Sequence, residues 1–294
     1  MTMATQCTDV FCDYLSVTYS PDESVYNDCI EHFESLGFIV DMMDEKVTLM
    51  LHETGGLVRF ETAASFHKIS LPGTPLSFLR QTQTLDCTLA LLGSLPHRVT
   101  RLDASIDFAK DAPAVFRSLD RKFPDGYANL TRKKAKIEKL LSVRDSDGLY
   151  TGTYYFGSRG GSAKTFARVY DKQHETLEKR GIEIPPTTRY EVVVKEGASL
   201  RDAALPTALF WHFAAPSLLR KPSGVPDWTR SESYGWTYDK PDILPAEALK
   251  RLIERSGQLK RMAQLADNIG LEGQNYLIGL LTRQLTSTND SESL

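Results

Sequence analysis

The chain has 294 residues, 35 Lys and Arg against 38 Asp and Glu, a formal net charge of −3, and 41% hydrophobic residues. That composition gives a globular chain core enough for one large domain or two ordinary ones, and excludes global disorder and a fibrous repeat. No run approaches the roughly 18 apolar residues of a membrane span, which predicts no membrane partner.

The first 14 residues lack the basic and apolar regions of a secretory signal. Cys7, Cys12, Cys29 and Cys87 form no Cys-x-x-Cys pair and have no His at zinc-site spacing. They read as reduced thiols, and localisation is expected to be cytoplasmic. The net charge conceals a split: residues 1–58 carry about −10 and the rest about +7. Such asymmetry points to a polyanionic partner for the later part or, equally, to a mildly basic solvated surface.

In chain order, Tyr14–Ser20 alternates as a strand ended by Pro21. Val25, Cys29, Ile30, Phe33 and Leu36 form a helical stripe closed by Gly37. Strands are expected at Phe38–Met43, Lys46–His52 and Leu57–Thr62, then a helix from about Pro75 to Leu92. The order recurs: a strand at Arg98–Phe108, a helix at Pro113–Phe123, a hairpin of Leu149–Phe156 with Lys164–Lys172, a strand at Thr188–Lys195 and a helix at Ser199–Ala214. Between them, residues 125–148 read as a basic insertion, part loop and part helix, holding Arg132, Lys133, Lys134, Lys136, Lys139 and Arg144.

Each half therefore reads strand, helix, strand, strand, strand, helix. Leu15–Ser20 resembles Ala104–Ala109, and Arg59-Phe-Glu61 resembles Arg189-Tyr-Glu191. The expected fold is α+β: a duplicated unit forming one antiparallel sheet with helices on one face, plus a C-terminal helical region. The expected domains are 1–97 (a binding scaffold), 98–217 (the catalytic half) and 218–294. In the last, helices at 246–268 and 271–285 precede a polar, disordered tail.

Residues two apart on a strand share a face. Arg101, Asp103, Ser105 and Asp107 line one face of their strand; Arg168, Tyr170 and Lys172 do so on a second, and Arg189, Glu191, Val193 and Lys195 on a third. A solvated sheet face also alternates in this way. Asp103, Asp107 and Glu191 nevertheless supply three hard oxygen ligands of the kind that Mg²⁺ or Mn²⁺ takes. Arg168 and Lys172 flank Tyr170 with charge that favours a phenolate and steadies a phosphoryl group in transfer. These are the parts for cutting a phosphodiester through a phosphotyrosine.

Thr100-Arg-Leu-Asp-Ala-Ser-Ile-Asp-Phe108, Tyr154-Tyr-Phe-Gly-Ser-Arg159, Arg168-Val-Tyr-Asp-Lys172 and Arg189-Tyr-Glu191 stand in the order and spacing of the replication initiation factor family. That family comprises rolling-circle plasmid initiators, transfer relaxases and filamentous phage replication proteins. The resemblance covers roughly residues 13–205 and implies sequence-specific nicking and joining of origin DNA, single-stranded or melted at the nick. It implies Tyr170 as nucleophile, Arg168 and Lys172 at the scissile phosphate, and Asp103, Asp107 and Glu191 on the metal. Val193 stands where plasmid members carry a further acid. Arg101, Arg159, Arg189, Lys195, Arg132, Lys133 and Lys134 are the expected DNA contacts, with a host helicase or polymerase, or a second copy of the chain, as further partners. Tyr154 and Tyr155 remain alternatives to Tyr170. A non-catalytic DNA-binding regulator and a metal-dependent nuclease using water remain the rival functions.

Overall fold

The alternating run that opens the sequence lies at the middle of a wide sheet. The computed structural model describes residues 10–21, 23–130, 133–144, 148–160, 163–214, 219 and 221–230. The chain divides into two units, 1–238 and 239–294. The expected C-terminal helices, the tail and Arg132 lie outside the described residues.

The first half runs β1 (Phe11–Tyr19), α1 (Glu23–Ser35), β2 (Ile39–Met43), β3 (Val47–His52), β4 (Gly56–Ala63), β5 (Phe66–Pro72), α2 (Gly73–Gln81) and α3 (Leu85–Leu92). The second runs β6 (His97–Phe108), α4 (Ala112–Lys122), β7 (Tyr127–Leu130), β8 (Lys133–Val143), β9 (Tyr150–Phe156), β10 (Thr165–Asp171), α5 (Lys172–Arg180), β11 (Thr188–Val194), α6 (Leu200–Ala204) and α7 (Thr207–Phe213). The eleven strands form one sheet in the order β2-β3-β4-β5-β1-β6-β11-β10-β9-β8-β7. All of its pairings are antiparallel.

The α+β class and the duplication are borne out. From the central β1–β6 pair the order reads outward as β5, β4, β3, β2 on one side and β11, β10, β9, β8 on the other. The first half holds one strand more than its pattern suggested, and the second holds two, β7 and β8. On the first side that strand is β5, and its presence corrects one equivalence: Arg59-Phe-Glu61 lies on β4, the counterpart of β10 and not of β11.

One apolar cluster joins the sheet to helices of both halves. It holds Leu15, Val17, Leu102, Ala104 and Ile106 from the central strands, and Phe33, Leu76, Leu79, Leu92, Phe116, Leu119, Leu209 and Phe210 from the helices. Burying one such Leu or Phe side chain contributes about 1.5–3 kcal/mol. Helix α5 adds no buried residue.

Local chemistry explains the remaining departures. The long helix expected at 75–92 is two, broken at 82–84, where Gln83 takes φ 58°. Likewise 199–214 is two helices: a Ser199–Asp202 capping box starts α6, and Pro206 stands at the N-terminal boundary of α7. The basic insertion is strand β8 and not helix, because its residues pair along β9 from Ile137↔Phe156 to Val143↔Tyr150. Lys172 ends the expected strand by opening α5, capped by the Asp171 carboxylate accepting from His174 N–H at 3.0 Å and closed by Gly181 in the left-handed region.

Candidate active site on the polar face of the central strands

Two bulges shape this face. In the β1–β6 ladder the register shifts between Cys12 and Tyr14, and again between Ser16 and Val17. The first leaves Asp13 as the extra residue; the second leaves Thr100 extra on β6, turning it to the same side as Arg101. Register then sets the site: Glu191 lies opposite Ser105, Val193 opposite Asp103, Arg189 opposite Asp107 and Arg168 opposite Glu191.

Each expected carboxylate is held by an arginine. Arg101 donates from Nε and Nη2 to the two oxygens of Asp103, at 2.8 and 2.6 Å. Arg168 places Nε and Nη2 on one oxygen of Glu191, Oε1, each at 2.6 Å. The other oxygen, Oε2, accepts the Tyr170 hydroxyl at 3.4 Å. Arg189 donates to both oxygens of Asp107, at 2.6 and 2.8 Å, and to Asp13 at 2.7 Å. Such charge-assisted forks fix orientation as well as charge.

The structure brings Asp103, Glu191, Tyr170, Arg101 and Arg168 together. Asp103 and Glu191 are each 1% exposed, and their carboxyl groups hydrogen-bond to each other. Burial pushes both upward in pKa; for Glu191 the Asp103 charge adds to it, and the nearby arginines oppose it.

Tyr170 is 5% exposed. Its environment corrects the expectation of a favoured phenolate: burial first, then the Glu191 charge, raises its pKa above the usual tyrosine range. Arg168 lies 5.1 Å and Lys172 5.8 Å from its ring centroid, and the opposing pull comes from the Arg189 charge. Lys172 is itself paired with Glu175 at 2.8 Å.

Asp107 stands apart from the buried pair, tied to Arg189. Arg189, expected at DNA, is 7% exposed and shared by two carboxylates, so it braces β1, β6 and β11 instead of facing solvent. Arg159 is exposed, paired with Glu138 at 3.0 Å and stacked 4.2 Å over Tyr155. Lys195 is half-buried, with Nζ 3.4 Å from the Arg159 and Gly160 carbonyls. Lys134 pairs with Asp125 at 3.3 Å, and Lys133 opens β8. The alternative nucleophile Tyr154 is 1% exposed and donates to Asp120 at 3.0 Å, away from the carboxylate pair.

No group of three His, Cys, Asp or Glu side chains that could hold a metal ion occurs among the described residues. The donors that do meet suit a hard divalent cation. Two buried carboxylates are forced together, and Ser105 Oγ, on the same face opposite Glu191, is buried without a hydrogen-bond partner. Sequence reasoning placed Ser105 on this face without giving it a role, and passed over Asp13. The signal for Asp13 is the break in β1 alternation at Cys12-Asp13-Tyr14.

Residues 97–202 match the model of the family described as replication initiation factor. This bears out the resemblance carried by the four motifs, all of which lie in that span. No curated protein matches the chain. Among solved structures the chain is similar to a rolling circle replication initiator protein from Geobacillus stearothermophilus, at 17% identity and a TM-score of 0.48, over 70% of this chain and 85% of that one. Among the described residues no helix is long and apolar enough to cross a membrane.

Proposed function

We propose that this chain initiates rolling-circle DNA replication by nicking and rejoining an origin strand through Tyr170. The family match over 97–202 supports the class of activity, and one contact supports the chemistry: the Tyr170 hydroxyl rests on Glu191 Oε2 while Arg168 grips Oε1. In this reading Glu191 takes the phenolic proton, and Arg168 lies beside both acid and ring. The Tyr170 oxygen then bonds to phosphorus as the bond to the 3′ oxygen breaks, and the departing oxygen takes up the proton that Glu191 accepted, giving a 5′-phosphotyrosine and a free 3′ hydroxyl. Rejoining reverses those two bonds with another 3′ hydroxyl, so no nucleoside triphosphate is consumed. Because the ring lies under Arg168, in-line approach requires that guanidinium to move outward, where it meets the incoming phosphate.

Asp103 and Glu191, with Ser105 Oγ, are the residues that would hold Mg²⁺ or Mn²⁺; the bound cation would supply Lewis-acid withdrawal of charge from a phosphate oxygen. Origin DNA is the proposed partner, acting at 98–217 with residues 1–97 as scaffold. The burial of Tyr170 favours a second reading, a DNA-binding regulator of the same fold that does not transfer strands. A denaturing gel of the protein with a labelled single-stranded origin oligonucleotide and Mg²⁺ separates the two. The proposal expects a covalent adduct that Tyr170→Phe abolishes while DNA binding persists. An adduct that survives Tyr170→Phe, or none with the unaltered chain, overturns it.

A further inference from the structure

Beside the arginine-held carboxylates, across the β5-β1-β6 part of the polar face, lies a cavity of about 460 Å³. It is lined by Tyr14, Ser16 and Thr18 of β1, Phe66 and Lys68 of β5, Arg98, Thr100 and Arg101 of β6, and Lys195 just past β11. Its volume falls in the roughly 300–1,000 Å³ range of ligand sites.

The lining holds four bases and no acid. Glu61 and Asp103 answer Lys68 and Arg101 from outside it, at 2.6 Å each. Among the described residues no carboxylate pairs with Arg98. The floor is a chain of hydroxyls: Thr18 meets Thr100 at 3.1 Å, Thr100 reaches Ser16 Oγ at 3.3 Å, and Ser16 meets Ser70 at 3.3 Å. Tyr14 and Phe66 are half-buried aromatic walls outside the apolar core cluster. The Arg101 guanidinium lies 4.4 Å from the Tyr14 ring centroid.

Cations at the rim, hydroxyls on the floor and aromatic walls suit one ligand class. A phosphate takes the cations, a base edge the hydroxyls, and a base face the rings. A stacked duplex cannot place a base between such walls, whereas a single strand can. Arg101 also fixes the position: the same side chain lines the cavity and holds Asp103 beside Glu191. We infer that this cavity takes one unstacked nucleotide of the single strand, next to the phosphate that the proposed site cuts. The inference rests on the proposed function and extends it to the first half of the chain, whose strands supply five of the nine lining residues.

The test is fluorescence anisotropy with labelled oligothymidylate on the full chain, with Phe66→Ala and Arg98→Ala, neither residue belonging to the catalytic group. Phe66→Ala is expected to weaken binding about tenfold, the loss of one stacked base. Arg98→Ala is expected to lower the slope of log affinity against log salt by about 0.7, the loss of one phosphate contact. Circular dichroism melts confirm that both variants fold. Affinities within about twofold of the unaltered chain, with the slope unchanged, overturn the cavity even if Tyr170-dependent nicking is found. Equal weakening on duplex DNA overturns it as a general phosphate patch. Competition by free thymidine monophosphate as strong as by the oligonucleotide overturns it as a mononucleotide site. Weakening by Phe66→Ala in a chain that nicks no strand upholds the single-strand pocket and removes only the nicking.

Discussion

Arg168→Met is the most informative single perturbation of this site, because its cost follows from burial and can be checked without DNA. The guanidinium is about a third exposed, but its partner Glu191 has no exposed side-chain surface and lies against the equally sequestered Asp103. Removing the cation leaves two buried carboxyls served by Arg101 alone. Breaking a buried ion pair from one side costs about 3–5 kcal/mol, and the Arg101 fork that remains on Asp103 places this case near the lower figure. For a chain of this size, about 3 kcal/mol corresponds to a fall of roughly 6–12 °C in Tm. Adding Glu191→Met removes the orphaned charge and restores volume, so the double variant regains at least half the loss, apart from about 1 kcal/mol for the Tyr170 hydroxyl left without its acceptor. Urea unfolding followed by far-UV circular dichroism, with slopes compared between variants, measures both values. A cost below about 1 kcal/mol for the single variant, or strict additivity in the double, refutes the buried pair.

Three further outcomes follow from neighbouring features. Ser105→Ala removes a buried hydroxyl without a partner, so thermal melts without metal show a change within about 1 kcal/mol, while Mg²⁺- or Mn²⁺-dependent stabilisation weakens. Gly152→Ala places a Cβ on the Leu140 carbonyl at φ 124°, and is expected to open the β8–β9 ladder, read as faster amide exchange along both strands. Asp171→Ala deletes the α5 cap and the 2.9 Å bond from Thr151, and costs about 2 kcal/mol in chemical unfolding.

The motif-bearing strands were legible because each alternates cleanly between polar and apolar residues: His97–Phe108, Thr165–Asp171 and Thr188–Val194 each lie within a residue of the expected 98–108, 164–172 and 188–195. The missing strand β5 alternates as well, through His67, Ile69 and Leu71, but its start was masked by a tight turn at Ala64 and Ser65. β8 was read as partly helical because its lysines report solvent and not period; pairing with β9 decided its form. Within the site, the residue types and faces could be read, but the pairing of each acid with one arginine could not. Asp103 meets Arg101 two residues away, whereas Asp107 and Asp13 share an arginine that follows 82 and 176 residues later. Register, bulges and burial set those partners, and they also reverse the expected effect on Tyr170.

The placement of β1 and β6 side by side has a kinetic meaning. Tyr14 pairs across the ladder with Asp103, and Asp103 with Val193, so the middle of the sheet is joined by two contacts that each span about 90 residues. Local hairpins such as β3–β4 and β8–β9 can form first, since little loop entropy opposes them. β6 cannot be flanked on both sides until β11 has left the ribosome. During synthesis the carboxylate-bearing face of β6 therefore meets Arg168 and Glu191 last, and a chain stopped short of β11 would carry the first half's fold with an open, pairing-competent edge at its centre.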